Sequence, residues 1–331
     1  MWERILTYEI QPEDAGRTVA EYLRSRGFSR HLLIRLKTMP DGITLDGVPV
    51  LPSHRFFFDR VKSLLTIRLR EEEASEHIAP VPLPLTIVYE DEDLLVLDKP
   101  PDMPIHPSMG NYENTLANAL AYYYEQQERP FIFRCINRLD RDTSGLLIVA
   151  KNAYSSVVLS AQMKERHIHR EYLAVVQGLA PERGTIDAPI GRQPGSVIAR
   201  CVDPVSGEPA ITHYTRVAAS PDGTYSLMRI HLDTGRTHQI RVHMGHIGHP
   251  LPGDFLYCPD YRHFGRQPLH SHRLSFTHPV TGEEMTFTSP PARRLPPGLV
   301  YAIIIANVLR FREFEKRRKR NDYRWNHRQK G

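Results

Sequence analysis

Between two apolar runs, residues 131–136 and 146–150, the chain carries Asn137-Arg138-Leu139-Asp140-Arg141-Asp142-Thr143-Ser144-Gly145, with four charges in nine residues. A carboxylate held in such a place can attack an electrophilic carbon or accept a proton. Asp140 and Asp142 are the candidates. On composition alone the simpler reading of either is a turn former, since Asp, Thr, Ser and Gly close turns through side-chain hydrogen bonds. The flanking runs are short and rich in Ile, Val and Phe, which predicts buried strands pinning the polar stretch at both ends. More reactive side chains lie at Thr234-Gly235-Arg236-Thr237-His238-Gln239-Ile240-Arg241-Val242-His243. On a helix from Thr237, Ile240, Met244 and Ile247 share one apolar stripe, with Arg241 and His238 beside it. Such a helix stays anchored while Arg241 projects into a cleft.

The elements that must hold these groups follow from periodicity and caps. Residues 15–24 read as a helix ended by Gly27, and Ser29 caps a second at 30–37 with Leu33 and Leu36 inward. Asp-Gly turns bracket a strand at 43–45, and a strand at 63–69 closes this first unit. A charged, proline-spaced linker spans 71–84. Residues 85–89 and 94–97 then form a hairpin. Asn114 is expected to cap a helix at 115–126 whose Leu116, Leu120 and Tyr123 face the core. Residues 153–166 read as a helix with Val157, Val158, Ala161 and Met163 inward. A strand at 171–176 carries Tyr172, by position a half-buried strand aromatic. Residues 210–219 and 224–232 alternate as a second hairpin. The loop-rich stretch 180–209 offers no clear period. Beyond Pro296-Pro297 an apolar helix at 299–309 and a basic, helical tail at 311–328 are expected. The expected division is 1–78, 79–295 and 296–331.

Bulk properties exclude several classes. The 331 residues are 40% hydrophobic and 24% charged, as in an ordinary soluble protein. No apolar run approaches the ~20 residues of a membrane span, and the first residues lack a signal-peptide pattern. Cys135, Cys201 and Cys258 lie far apart, which argues for a reducing cytoplasm and against disulfides or a thiolate zinc site. Net charge is +5, but residues 307–331 hold ten Lys or Arg against three acids, leaving the rest at −2. A basic tail of this kind fits nucleic-acid binding.

Arg138-Leu139-Asp140-x-x-Thr143-Ser144-Gly145 resembles the catalytic motif of the RluA-type pseudouridine synthases, RNA pseudouridylate synthases whose Asp nucleophile maps to Asp140. Three further stretches resemble that family in order. Lys99-Pro100 followed by Ile105-His106-Pro107 is similar to its opening motif, with Asp102 where the family usually has Gly. Arg170-Glu171-Tyr172-x-Ala174-Val175-x-x-Gly178 is similar to its second, in which the Tyr stacks on the target base. Residues 234–243 with Ile247-Gly248-His249-Pro250-Leu251-x-Gly253-Asp254 resemble its third. Leu269-His270-Ser271-His272-Arg273-Leu274-Ser275-Phe276-x-His278-Pro279 follows the family as well. The resemblance spans about residues 80–292. The Phe28-Ser29-Arg30 step with its following strand resembles the S-four-type RNA-binding module, which uses two helices and the turn between them against RNA.

The resemblance implies an α+β fold: a mixed, largely antiparallel central sheet with flanking helices and a cleft along one face, plus a small N-terminal α+β RNA-binding domain. It implies isomerisation of uridine to pseudouridine in RNA. That reaction neither oxidises nor hydrolyses, so no cofactor and no metal is expected. The chain agrees in lacking Gly-x-Gly-x-x-Gly and Walker patterns. Asp140, Tyr172 and Arg241 are the implied catalytic residues, Arg241 offsetting the cost of burying the carboxylate and aiming it. Arg138 is expected to fill the gap left by a flipped nucleotide and Leu274 to cover the base's other face. His238, Lys99 and His106 complete the expected substrate-binding set. Ribosomal RNA of the large subunit is the preferred partner, with transfer RNA the alternative, and a cytoplasmic monomer is expected. One rival is a metal site at His238, His243, His246 and His249, but no His-Glu-x-x-His is present. Another is an inactive RNA-binding or assembly factor, for which Asn137, where many relatives have His, speaks.

Overall fold

In a computed structural model, residues 2–57 and 63–291 are described. The chain divides into two compact units, Met1–Arg170 with Ser271–Ser289, and Glu171–His270 with the remainder.

The first unit opens with β1 (Trp2–Glu9), α1 (Val19–Ser25), α2 (Arg30–Thr38), β2 (Ile43–Leu45), β3 (Val48–Pro49) and β4 (Leu64–Glu71), the strands forming a sheet of order β1-β4-β2-β3. Helix α1 starts later than its composition suggests. Thr18 Oγ1 accepts the Glu21 N–H at 3.1 Å while the Glu21 carboxylate accepts the Thr18 N–H at 2.7 Å, a reciprocal cap that fixes the start. Val19, Tyr22, Leu23, Leu33 and Leu36 close on Leu6, Leu65 and Ile67 of the sheet. The turn between the two helices, expected to face RNA, is instead occupied. The Phe28 ring lies 4.4 Å from that of Tyr154, whose hydroxyl donates to the Arg26 carbonyl at 2.8 Å. A Cβ at Gly27 would stand 3.0 Å from Val158. Apolar rings at a turn find a partner, and the basic residues left exposed are Arg24, Arg26, Arg30 and Lys37.

Next come β5 (Ile87–Glu90), β6 (Leu94–Lys99), α3 (Leu116–Glu125), β7 (Ser144–Ala150) and α4 (Ala153–Lys164). β7 is buried at every position and pairs antiparallel with β6. Thr115, not Asn114, caps α3: its hydroxyl accepts the Asn118 N–H, and Asn118 also reaches back to the Ala79 carbonyl at 2.8 Å. Asn152 caps α4 and sets its phase, so Tyr154, Ser155 and Leu159 face inward while Ala161 is exposed. Residues 131–136 form no regular strand. Cys135 makes an isolated bridge to Val149 of β7, flanked by the Ile136 N–H on the Ile148 carbonyl and the Ala150 N–H on the Arg134 carbonyl, both at 2.9 Å, while Ser75 takes the Phe133 N–H and the Phe131 carbonyl.

The second unit holds β8 (His169–Gln177), β9 (Arg183–Asp187), β10 (Ile190–Arg192), β11 (Arg200–Val202), β12 (Ile211–Ala219), β13 (Tyr225–Leu232) and α5 (Gln239–His246). Its larger strands run in the order β8-β13-β12-β9, all pairings antiparallel, and β10 with β11 forms a separate hairpin. The chain then returns to the first unit with β14 (Leu269–Thr277) and β15 (Glu284–Thr288), giving there the order β5-β6-β7-β14 with β15 on β14. The α+β class with a largely antiparallel sheet is thus the one observed. No helix among the described residues is long and apolar enough to cross a membrane. The helices expected at 299–309 and 311–328 lie outside the described residues.

Candidate active site

In the first unit the loop 137–143 enters β7. Its side chains alternate: Asn137 and Leu139 are buried, Arg138 and Arg141 exposed, and Asp140 half-buried. Asn137 Oδ1 accepts the Ile148 N–H at 2.9 Å, so this residue ties the loop to β7. Asp140 closes the far turn, its carbonyl accepting the Thr143 N–H at 3.1 Å. Asp142 is buried and its carboxylate is met by the Arg141 guanidinium at 3.0 Å, consistent with a turn-shaping role. Gly145 has φ +108°, and a Cβ there would come within 2.3 Å of the Ser271 carbonyl oxygen on β14. Glycine is therefore required where two backbones meet.

Lys99 is buried, and its ammonium donates to the carbonyls of Pro100, Met103 and Arg141 at 2.7, 2.9 and 2.8 Å. It joins the loop after β6 to the loop that carries Asp140, an anchoring geometry. Asp102 in that first loop has φ +56°, the left-handed conformation that Gly takes most easily and Asp tolerates. The His106 ring packs edge-on against Phe133 at 4.9 Å. Partial burial and the nearby Arg138 cation push its imidazole below the usual histidine range. Leu274, expected on the base's other face, is 0% exposed among Leu146, Ile148, Leu159 and Phe276. It is a core residue, placed there by the alternation of β14.

In the second unit Tyr172 is buried on β8, opposite Ile230 of β13. Arg241 is as deep: its side chain and that of Asp254 are each 1% exposed, joined by Nε–Oδ2 at 2.7 Å and Nη2–Oδ1 at 2.8 Å. Such a bidentate pair orients a guanidinium that α5 could not orient alone. The Arg241 Cζ also lies 5.0 Å from the Tyr257 ring centroid and 5.7 Å from that of Phe255. His238, half-buried, precedes α5 with φ +59°, and its Nδ1 is 2.8 Å from the Tyr257 hydroxyl. The unit thereby brings Arg241 and His238 together around one tyrosine.

The four histidines weighed as metal ligands do not converge. His243 is fully buried with Nδ1 on the Thr212 hydroxyl and Nε2 on the Ala188 carbonyl, both at 2.8 Å. His246 is exposed, and His249 Nδ1 meets the Gln177 carbonyl at 2.9 Å. Among the described residues one group, Asp91, Asp93 and His278, has metal-like spacing, yet Arg4, Tyr89 and Asn152 already bond to it. Sequence reasoning gave no role to Asp254 or Tyr257. The signal for Asp254 was available: a buried guanidinium demands a carboxylate. For Tyr257 there was none, because its contacts are made across loops.

Residues 93–246 match the family described as RNA pseudouridylate synthase. The chain is 41% identical over 274 residues to "Uncharacterized RNA pseudouridine synthase YjbO" of Bacillus subtilis, covering 82% of this chain and 95% of the relative. It is 37% identical over 303 residues to "Ribosomal large subunit pseudouridine synthase D" of Haemophilus influenzae, covering 86% and 91%. Among solved structures, human RNA pseudouridylate synthase domain containing 1 matches with a TM-score of 0.53 at 31% identity, covering 64% of this chain and 85% of that one.

Proposed function

The chain belongs to the RNA pseudouridylate synthase family and is an RNA pseudouridine synthase; on that premise we propose that it isomerises uridines of large-subunit ribosomal RNA, with Asp140 as the acting carboxylate. The target nucleotide leaves its stack to reach the site. Asp140 then either attacks C1′, forming an ester that C5 of the turned base later displaces, or removes a proton from the sugar and afterwards returns it; on both routes the N1–C1′ bond breaks, the base turns and C5 bonds to C1′, leaving the Asp140 carboxylate free again. The proton leaving C5 is balanced by one gained at N1. Product and substrate have the same composition, so the reaction calls on no oxidant, reductant or nucleotide cofactor.

The observation that carries this reading is the fixing of the Asp140 loop. Lys99 on one side and Asn137 on the other hold it from the backbone while its own residue stays half-exposed. Tyr172 serves as base platform and Arg241 as the cation that offsets the cost of burying the acting carboxylate. Residues 1–78 act as an RNA-binding module through the exposed face of α2, and 296–331 as a basic extension. The enzyme works as a monomer in the cytoplasm. The relatives titled for the large ribosomal subunit support the choice of RNA. Mapping pseudouridine in ribosomal and transfer RNA from cells with and without the protein tests it. Large-subunit sites that vanish with the protein are expected; loss confined to transfer RNA would redirect the substrate.

A further inference from the structure

Tyr257 meets three things at once. Its hydroxyl accepts the backbone N–H of Arg200 on β11 at 2.8 Å and lies 2.8 Å from His238 Nδ1. Its ring stacks under the Arg241 guanidinium, 5.0 Å from Cζ to centroid. Its own backbone N–H points at Asp254 Oδ1, the oxygen that also accepts from Arg241 Nη2. The tyrosine therefore touches both partners of the buried ion pair, the strained residue that starts α5, and the β10–β11 hairpin.

That hairpin is built to be met by something. Its connecting turn leaves Val197 79% and Ile198 53% exposed, with Arg192 exposed beside them. An apolar tip flanked by arginine suits a nucleic-acid surface, where bases offer flat faces and phosphates offer charge. The Arg200 N–H is the hairpin's hydrogen bond to Tyr257. His238 supplies a second reason for a clamp at this point. A left-handed backbone at a non-glycine residue costs free energy and persists only where the surroundings hold it. Tyr257 meets that ring twice, through its hydroxyl at 2.8 Å from Nδ1 and through an edge-on contact of the two rings at 5.7 Å.

We propose that Tyr257 is a positioning residue that couples the β10–β11 hairpin to Arg241 and His238, so that the guanidinium is correctly aimed when the hairpin is engaged by RNA. This rests on the reading of Arg241 given under Proposed function. Tyr257→Phe keeps the ring under Arg241 and removes only the hydroxyl, so the fold survives. In single-turnover assays with the full chain and a ribosomal RNA fragment, the rate constant falls about tenfold, the size of one lost hydrogen bond. RNA affinity, titrated separately, stays within about twofold, because the hydroxyl is engaged within the protein by the Arg200 N–H and His238 Nδ1. Adding His238→Ala to Tyr257→Phe costs less than the two single effects combined, since both act through one contact. Arg241→Lys runs in parallel. If it keeps the wild-type rate, the role of Arg241 fails and the coupling with it. If Arg241→Lys is slow while Tyr257→Phe keeps the wild-type rate, or changes only the melting temperature, the coupling alone is overturned. Additive losses in the double variant overturn it too.

Discussion

At the scale of single residues, charge and shape are separable at Asp140. Asp140→Asn keeps the side chain's size and its hydrogen-bonding capacity, and the turn it closes uses the backbone carbonyl, which the substitution leaves alone. Folding should be unchanged and RNA binding within about a few-fold of wild type, with no detectable pseudouridine, because an amide replaces neither a nucleophile nor a base. Asp142→Asn should retain substantial activity, as its carboxylate is spent on Arg141 within the loop. Activity lost only at Asp142 would move the nucleophile two residues along. Tyr172 divides differently. Tyr172→Phe keeps the aromatic face, whereas Tyr172→Ala should weaken base binding by about 1–3 kcal/mol. If both behave alike in single-turnover assays, Tyr172 is not the platform. What the sequence offered at this scale was residue type and order along the chain. Asp140, Tyr172 and Arg241 could be picked from motifs, but the partners that orient them could not. Asp254 lies thirteen positions after Arg241, and Lys99 reaches a carbonyl, that of Arg141, 42 positions away.

At the scale of elements, legibility followed the strength of the local signal. The hairpin of β12 and β13 around Pro221-Asp222-Gly223 formed as its pattern implied, with a register shift between Arg216 and Ala218 that the pattern did not show. β1 was unread because its burial gives no sharp period: Trp2, Glu3, Arg4 and Tyr8 are half-buried, Ile5 is exposed and Leu6 alone is buried. β9 to β11 were unread because they are three to five residues long among glycines and prolines. Leu274 shows the converse error, a side chain assigned to a surface that its strand turns into the core. The anchoring of α5 carries its own test. Burial holds His243 below the usual histidine value. The unfolded chain then binds the proton more tightly, so this stabilisation is complete above about pH 6.5 and is lost as pH falls through the lower folded value. Protonation would also place a hydrogen on the nitrogen that accepts from Thr212. Melting temperature should therefore drop on acidification below about pH 6.5, and less steeply in His243→Gln. Equal slopes in the two proteins would remove His243 from the account.

At the scale of the whole molecule the charge is divided unevenly. Residues 307–331 carry +7, while the other 306 carry −2, so the catalytic sequence has little general attraction for a polyanion. RNA affinity must then come from local patches, such as the exposed Arg24, Arg26, Arg30 and Lys37 near the N-terminus, and from the tail. These two sources differ in what they do. A patch beside the fold can orient the RNA, whereas a charged extension raises affinity by displacing counterions, whatever the sequence it meets. Deleting residues 307–331 should accordingly leave the rate constant on bound RNA unchanged and weaken binding most at low salt. If about four of its charges meet phosphates, the slope of log K against log salt should flatten by about 3. Filter binding at four or five salt concentrations, with and without the tail, reads this directly. An unchanged slope would show that the tail does not touch RNA. A lower rate constant at saturating RNA would give it a part in aligning the substrate, which +7 of counterion release does not supply.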